Sequence, residues 1–384
     1  MSLDSSAWKV LQPDGKWRVV VTGKLPGNRW LEILLAAGCR VEIRASGETL
    51  TTREVRDAIG DRCDACIGRL TEKCDEEVLA CLASAGGRVY SNYAVGYDNV
   101  DIDGATARGI AVGNTPGVLT ETTAEMAVAL TFAAARRVAE GDRFMREGRF
   151  SGWQPDLLLG ELLWRKTVGI LGAGRIGSAY ARMMVEGHKM GLIYYDKERN
   201  QPLEDYVTAY GDFLVSRGEE PVTCRRARSV DELLREADVV SLHASLDDST
   251  CHIIDAARLN LMRENAVLVN TSRGPLIDEE ALVAHCGAHP LFRVGLDVYE
   301  DEPDMRPGLS GLENAVIVPH LGSASTWTRE AMAVLASLNV TGMLMGYPLW
   351  PHPERISAFL GEEYPEAVPS IVNAGKLGIP VLKA

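Results

Sequence analysis

The sequence predicts an α/β protein built from two doubly wound parallel-sheet domains, the first of which is discontinuous. The length of 384 residues is too great for one compact core and suits two domains. Short apolar runs alternate with helical segments along most of the chain, a pattern typical of βα units. A second series of such units lies between two segments that we assign to the first domain, so the first domain is interrupted.

The first series of predicted strands begins at residues 18–23, where three valines lead into a glycine, as in a strand buried in a parallel sheet. Further strands are predicted at 40–43, 64–68, 87–90 and 110–112. The turn at 114–117 is followed by a helix predicted over 121–137, which we expect to close the first lobe.

The second series contains six predicted strands, which is enough for a complete doubly wound sheet. They are 167–171, 192–195, 239–243, 266–270, 294–298 and 316–318. The polar stretch 199–228 is longer than a normal connection and is interpreted as an insertion. A helix over about 325–346 should return the chain to the first lobe. The predicted domains are therefore 1–120 with 330–384, and 121–329.

Charge and hydropathy exclude two classes of partner. The net charge is −13 with acidic and basic residues interleaved, whereas a nucleic-acid-binding protein needs a concentrated basic face. No apolar run reaches the length of a membrane helix, so a membrane partner is not predicted. A small anionic ligand remains compatible with an acidic chain, because one arginine or one helix N-terminus can hold it.

Four cysteines near one another in sequence could form a zinc site, but we favour a different interpretation. Cys63 and Cys66 are followed by Cys74 and Cys81. Cys66 lies in an apolar stretch typical of a strand, and the last two flank a helical pattern rather than forming a second paired knuckle. We predict reduced thiols that pack as small hydrophobic groups, and no metal.

The motif Gly-Ala-Gly-Arg-Ile-Gly at 172–177 follows a predicted strand and opens a predicted helix. In this context Gly172 allows a tight turn, Gly174 lets the backbone approach a pyrophosphate, and Gly177 lets the helix lie close to the strand. Arg175 and Ile176 begin the helix, whose N-terminus supplies N–H donors and a positive dipole. The sequence therefore predicts a Rossmann-like dinucleotide site.

Asp196 ends the next predicted strand, 196 − 177 = 19 positions beyond the last glycine. A carboxylate there accepts hydrogen bonds from the ribose hydroxyls and repels a 2′-phosphate, which favours NAD(H) over NADP(H). Lys197 and Arg199 lie close by and act against this preference.

Three polar side chains follow three later strands, at the edge where ligands of doubly wound sheets bind. Arg273 follows the strand at 266–270, Glu302 lies in the acidic turn after 294–298, and His320 follows the strand at 316–318. From the residues alone, Arg273 could instead cap a helix beginning near Ile277. Residues 300–302 could be a solvated turn, and His320 could be structural.

These segments together resemble the D-2-hydroxyacid dehydrogenase family. The sequences GAGRIG, NTSRGPLID, GLDVYEDEP and PHLGSAS occur in the family's order, and the resemblance covers nearly the whole chain. The insertion at 199–228 and the ending at 369–373 are similar to the plant-type hydroxypyruvate reductases of that family. Residues 244–247 depart from the family's usual apolar-Pro-Leu-Thr, which puts fine cofactor contacts there in doubt.

The resemblance implies a role for each site residue. Arg273 would bind the substrate carboxylate, His320 would give a proton to the C2 oxygen, and Glu302 would orient His320 and favour its imidazolium form. Glu302 is chosen over its acidic neighbours because it precedes Pro303, as the family's glutamate does. Backbone N–H groups of Val95 and Gly96 would hold the same carboxylate. The further residues assigned to the cofactor are Thr123, His243, Thr271, Asp297 and Gly322.

The function implied is NADH-dependent reduction of hydroxypyruvate to D-glycerate, with glyoxylate as a second substrate. The alternatives are a glyoxylate or 3-phosphoglycerate dehydrogenase of the same family, or an NAD-sensing co-regulator of the same fold. No extra basic cluster is placed for a substrate phosphate, which disfavours phosphoglycerate.

Assembly and compartment are also expectations of the resemblance. A homodimer is expected, with apolar surface from the helix at 121 and from the stretch 153–164. An organelle, either peroxisome or mitochondrion, is compatible with the family. The ending Leu-Lys-Ala weakens the Ser-Lys-Leu address, and the first ten residues show no transit-peptide pattern.

Overall fold

The computed structural model describes residues 7–383, and it divides the chain into two compact units. One unit comprises the residues up to Leu119 together with those from Ala324 on, and the other comprises Thr120–Ser323. Each unit is described by itself below. Two expectations fall partly outside the described residues. The absence of a transit-peptide pattern concerns residues 1–6 among others, and the C-terminal address includes residue 384.

The secondary structure alternates between strands and helices. The strands are β1 (Trp8–Leu11), β2 (Trp17–Val21), β3 (Cys39–Arg44), β4 (Ala65–Arg69), β5 (Val89–Tyr93), β6 (Ala111–Gly113), β7 (Thr167–Leu171), β8 (Gly191–Tyr195), β9 (Cys224–Arg226), β10 (Val239–Leu242), β11 (Val267–Asn270), β12 (Arg293–Leu296) and β13 (Ala315–Ile317). The helices are α1 (Arg29–Ala36), α2 (Thr52–Ile59), α3 (Glu76–Ser84), α4 (Ile102–Ala107), α5 (Thr120–Ala135), α6 (Val138–Arg146), α7 (Arg175–His188), α8 (Gln201–Ser216), α9 (Val230–Glu236), α10 (Ala256–Leu259), α11 (Glu279–Ala288) and α12 (Thr326–Met345).

The first unit contains a sheet in the order β1-β3-β2-β4-β5-β6, in which β1 is antiparallel to β3 and the other strands are parallel. Apolar side chains cover both faces of this sheet. Helix α12, predicted at 325–346, packs on β5 and α1, and Ser325 caps its first turn by accepting a hydrogen bond from the Thr328 N–H. The helix thus joins the C-terminal part of the chain to the first sheet.

The second unit contains a fully parallel sheet in the order β13-β12-β11-β10-β7-β8-β9. The strand order reverses between β7 and β10, which is the topological switch point where doubly wound sheets bind ligands. Two apolar clusters fill its two faces. The predicted α/β class with two Rossmann-like parallel-sheet domains is confirmed.

Two local predictions need correction, and two edge strands were not predicted. The helix that we expected to close the first lobe is α5, which packs on α7 and β12 inside the second unit. The stretch 199–228 contains the crossover helix α8 and the edge strand β9, so the second sheet has a seventh strand. Strand β9 reads Cys-Arg-Arg and is partly exposed, and β1 is an antiparallel edge strand of four residues. Neither has the apolar run by which buried parallel strands are found.

The clustered cysteines lie where the hydrophobic interpretation put them. Cys63, Cys66 and Cys74 are buried in the apolar cluster on one face of the first sheet, and all are free thiols. Burial raises the pKa of Cys63 to about 12, so this thiol stays protonated. Among residues 7–383, none of the helices combines the length and the apolar character that crossing a bilayer requires.

Candidate active site

The glycine motif forms the turn between β7 and α7. Gly172 has a positive φ of 91°, and a Cβ on it would lie 2.5 Å from the Ala244 nitrogen, so only glycine fits there. Around Gly174, in contrast, a Cβ would meet nothing within 4 Å, which leaves open space in front of the turn. Helix α7 begins at Arg175 and has no side-chain cap, so its first N–H groups are left to a ligand.

Asp196 lies beside this turn at the end of β8. Its Oδ2 accepts a hydrogen bond of 2.7 Å from the Ala173 N–H. Lys197, which the sequence left available to a 2′-phosphate, binds Asp247 at 2.9 Å. Arg199 likewise pairs with Glu204 at 2.6 Å. Lys197 and Arg199 are therefore each paired with an acidic side chain, and this pairing favours a ribose diol over a 2′-phosphate.

His243 follows β10, the neighbour of β7, and Thr271 follows β11, the next strand in the sheet. The His243 Nε2 lies 2.9 Å from the Ser241 Oγ, and its ring lies 5.2 Å from that of Tyr180. Burial lowers the pKa of His243 to about 3, so its imidazole is neutral at physiological pH. Among the described residues, the buried Thr271 Oγ1 has no hydrogen-bond partner. Such a hydroxyl needs a partner, and a bound ligand can supply one.

His320 and Glu302 form a hydrogen-bonded pair. The His320 Nδ1 lies 2.9 Å from the Glu302 Oε2, and the side chains are about one third exposed, at 33% and 29%. The other carboxylate oxygen of Glu302 accepts a hydrogen bond from the Tyr299 N–H. Burial opposes ionisation of Glu302, but the hydrogen bond and charge of His320 outweigh it and hold the pKa of Glu302 below its usual range.

Asp297 holds the backbone of the loop that presents His320. Its main-chain oxygen accepts the His320 N–H at 2.9 Å, and its carboxylate accepts the N–H groups of Leu321 and Gly322. Burial raises the pKa of Asp297. A Cβ on Gly322 would lie 2.9 Å from the Asp297 carboxylate and 3.4 Å from Thr123, so these three predicted cofactor residues are neighbours.

Arg273 lies in the same cluster as the histidine–glutamate pair. Asn270, at the end of β11, accepts the Asp297 N–H and donates from its side chain to the Arg273 carbonyl at 2.8 Å. The positive charge of Arg273 contributes to the lowered pKa of Glu302, which places the two groups within electrostatic reach. The loop of Arg273 is also joined to the residues after β10, because the Ser272 hydroxyl donates to the carbonyl of Ala244, and Ala244 packs against Gly172.

Two of the structural alternatives for these residues are wrong. Asp278, and not Arg273, caps helix α11, since its side chain accepts the Ala281 N–H. Glu302 faces His320 and is not part of a merely solvated turn. The other predicted substrate residues, Val95 and Gly96, belong to the first unit, where they form the loop after β5.

Sequence reasoning missed several residues that organise the site. Arg226 on β9 donates to the carbonyls of Asp196 and Lys197, and no motif marks it because β9 lacks an apolar pattern. Asn270 forms an Asx-type contact with the Ser272 N–H, and the sequence Asn-x-Ser could have indicated it.

Comparison with known proteins identifies the family. Residues 128–322 match the model of the D-isomer specific 2-hydroxyacid dehydrogenase, NAD binding domain. The protein named "Glycerate dehydrogenase HPR, peroxisomal" from Arabidopsis thaliana is 56% identical over 378 residues, 98% of each chain. A glyoxylate reductase from Thermococcus litoralis is 38% identical and covers 86% of this chain and 95% of its own length. The solved TT0316 protein from Thermus thermophilus superposes with a TM-score of 0.75 at 38% identity, over 86% of this chain and 97% of that one.

The chain therefore belongs to the D-2-hydroxyacid dehydrogenase family. It is an NAD-dependent oxidoreductase that acts on a small hydroxy acid.

Proposed function

We propose that this enzyme reduces hydroxypyruvate to D-glycerate with NADH, and glyoxylate to glycolate as a second reaction. The main support is the identity of 56% to a glycerate dehydrogenase over nearly the full length of both chains. The similarity to a glyoxylate reductase supports the second reaction. In this proposal the unit comprising residues 120–323 binds NAD(H), and the other unit contributes the Val95–Gly96 loop to substrate binding.

The residues around the glycine turn fit a dinucleotide. The space in front of Gly174 and the uncapped start of α7 suit the pyrophosphate, and Asp196 suits the adenosine ribose. The unpartnered Thr271 hydroxyl offers one more polar contact. When bound, NADH supplies the hydride that is added to C2 of the keto acid.

The chain's own residues supply binding, orientation and a proton. Arg273 holds the substrate carboxylate through its planar fork. His320 donates a proton from Nε2 to the C2 oxygen, because its Nδ1 is engaged by Glu302. Glu302 fixes the ring and compensates the imidazolium charge. In the reverse reaction, the oxidation of the hydroxy acid, His320 accepts the proton.

A panel of keto acids tests the proposal. NADH oxidation is measured with hydroxypyruvate, glyoxylate, pyruvate and 3-phosphohydroxypyruvate, and we expect the highest kcat/KM with hydroxypyruvate. A higher value with 3-phosphohydroxypyruvate or glyoxylate would favour the other dehydrogenases of the family. No turnover with any keto acid would refute the enzymatic function and favour an NAD sensor.

Replacing Asp196 by alanine should narrow the preference for NADH over NADPH. The carboxylate repels a 2′-phosphate, and the variant removes that charge while Arg226 stays next to the same backbone. We expect the ratio of kcat/KM values for the two coenzymes to fall by about tenfold or more. Asp205→Ala on the exposed face of α8 is the control and should leave the ratio unchanged. An unaltered ratio in Asp196→Ala would show that the ribose is recognised elsewhere.

Replacing Glu302 by glutamine should move the alkaline limb of the pH profile to lower pH. The carboxylate is ionised throughout the neutral range because its pKa is below its usual value, and its charge favours the imidazolium of His320. A glutamine amide keeps a hydrogen bond to His320 but not the negative charge. As pH rises, the variant should therefore lose its proton donor at a lower pH than the wild type does. We expect the alkaline limb of kcat/KM for keto-acid reduction to lie at lower pH than in the wild type. A profile that keeps its position would contradict the role of Glu302.

We also propose a homodimer. Helix α6 has no buried residue, and the segment that follows it exposes large apolar side chains, among them Trp153 at 84% and Leu162 at 69%. Exposed apolar surface of this extent is typical of an interface. Sedimentation should give a dimer mass, and the double variant Trp153→Glu, Leu162→Glu should give a monomer mass.

For the compartment we propose the peroxisome, because the chain is similar to a relative whose name includes that location. Imaging of a tagged chain tests this.

A further inference from the structure

The loop after β5 is held at three consecutive peptide groups. The Ala94 carbonyl accepts the Thr115 N–H at 2.9 Å. The Val95 carbonyl accepts from the Asn114 side-chain amide at 2.8 Å, and the Gly96 carbonyl accepts from the Asn92 amide at 2.9 Å. Asn92 and Asn114 are both buried. Three donors therefore fix three successive carbonyls of one short loop.

Fixing a carbonyl also fixes the next N–H. In a planar trans peptide the C=O of one residue and the N–H of the following residue point in opposite directions. The bond from Thr115 therefore sets the direction of the Val95 N–H, and the bond from Asn114 sets that of the Gly96 N–H. The N–H groups of Val95 and Gly96 therefore point away from Thr115 and Asn114, the residues that bind the preceding carbonyls.

The C-terminal segment orients Asn114. The Ser370 hydroxyl donates to the Asn114 Oδ1 at 2.6 Å, which leaves the amide nitrogen facing Val95. Asn339 on α12 links both residues, since it donates to the Asn114 carbonyl and accepts the Ser370 N–H, each at 2.9 Å. The hydroxyl is thus held at a fixed place relative to the amide that it orients.

We propose that Ser370 and Asn92 are positioning residues for substrate binding, with Ser370 acting through Asn114. Ser370 thereby sets the direction of the Gly96 N–H, and Asn92 holds the Gly96 carbonyl in place. The loop so fixed presents the N–H groups of Val95 and Gly96 to the carboxylate of the keto acid. This inference rests on the proposed function, in which that loop binds the substrate carboxylate. The substrate carboxylate keeps the same charge throughout the reaction. Weaker binding of this carboxylate in a variant should therefore appear mainly as a higher KM.

The test compares Ser370→Ala and Asn92→Ala with matched controls in the same unit. Ser337→Ala removes a buried hydroxyl that bonds only to its own helix, and Asn373→Ala removes a buried amide that bonds to Val112, Thr106 and Ile110. Ser370→Thr keeps the hydroxyl. KM and kcat for hydroxypyruvate, KM for NADH and Tm are measured for each.

We expect KM for hydroxypyruvate to rise about fivefold in Ser370→Ala, which loses the hydrogen bond to Asn114. We expect a rise of about tenfold in Asn92→Ala, which loses the bonds to Gly96 and to Asn99. The kcat and the KM for NADH should stay within about twofold of the wild-type values. The controls should lower Tm without raising KM, and Ser370→Thr should restore KM. If one alanine variant does not fold, the other still tests the proposal.

An unchanged KM in the folded variants, with Tm lowered as in the controls, would overturn the positioning role and leave a purely structural one. That result is distinct from failure of the proposed function, which would be absence of turnover by the wild-type enzyme with every keto acid. If glyoxylate is the preferred substrate, the same KM comparison is made with glyoxylate, because the carboxylate is common to both.

Discussion

Replacing His320 by alanine is expected to lower kcat for hydroxypyruvate reduction by about 10²- to 10⁴-fold. In the proposed reaction this imidazole is the proton donor; His320 lies in the loop after β13, and its Nδ1 lies 2.9 Å from the Glu302 carboxylate. Without the donor, the developing alkoxide at C2 must take its proton from water. NADH affinity, measured by fluorescence titration, should change by less than about threefold, because the glycine turn and Asp196 are untouched.

His252 offers a close control for this experiment. His320 and His252 both have a positive φ, of 51° and 49°. The His252 Nε2 lies 2.7 Å from the Glu300 carboxylate, so His252 forms a second histidine–glutamate pair in the same unit. His252→Ala removes a comparable pair that has no role in the proposed reaction, and its kcat should stay within about threefold of the wild-type value. Equal loss in both variants would indicate general damage to the loops. Full activity in His320→Ala would remove His320 from the mechanism.

Much of the second unit could be predicted because its decisive features are local in sequence. An apolar strand, a glycine motif, a helix and an acid at the next strand end define the dinucleotide turn. In the structure, Ala173 within this motif donates a hydrogen bond to Asp196. His320 and Arg273 were found because side chains after parallel strands gather at one edge of the sheet. Their roles still rest on chemistry and on the family, since position alone does not distinguish a proton donor from a structural histidine.

Other features could not be predicted because they depend on distant contacts. Glu302 was separated from Glu300 and Asp301 only by resemblance, whereas the structure distinguishes them by their partners: Glu302 binds His320, and Glu300 binds His252. Strand β9 pairs with β8 through its backbone, and no apolar run marks it. Ser370 and Asn114 meet across 256 positions of sequence, so no spacing rule could bring them together.

Replacing Arg273 by lysine is expected to lower kcat/KM for hydroxypyruvate by about 10²- to 10³-fold. A guanidinium can place two parallel N–H donors on a carboxylate, whereas an ammonium is a single point charge on a flexible stem. Losing a charge-assisted, paired contact typically costs enough binding energy for this decrease. Arg263→Lys is the control: it changes a partly exposed arginine paired with Asp238, and its kcat/KM should stay within about twofold.

The pH profile of the lysine variant separates substrate binding from acid catalysis. The charge of Arg273 contributes to the low pKa of Glu302, and lysine retains that charge, so the histidine–glutamate pair should keep its ionisation. We therefore expect the lysine variant to have a low rate but an alkaline limb at the same pH as in the wild type, unlike Glu302→Gln. A lysine variant with wild-type kcat/KM would show that the carboxylate is held by other groups. A lysine variant whose alkaline limb moved as far as that of Glu302→Gln would show that Arg273 acts on the proton donor. The planar fork of Arg273 would then not be what the substrate requires.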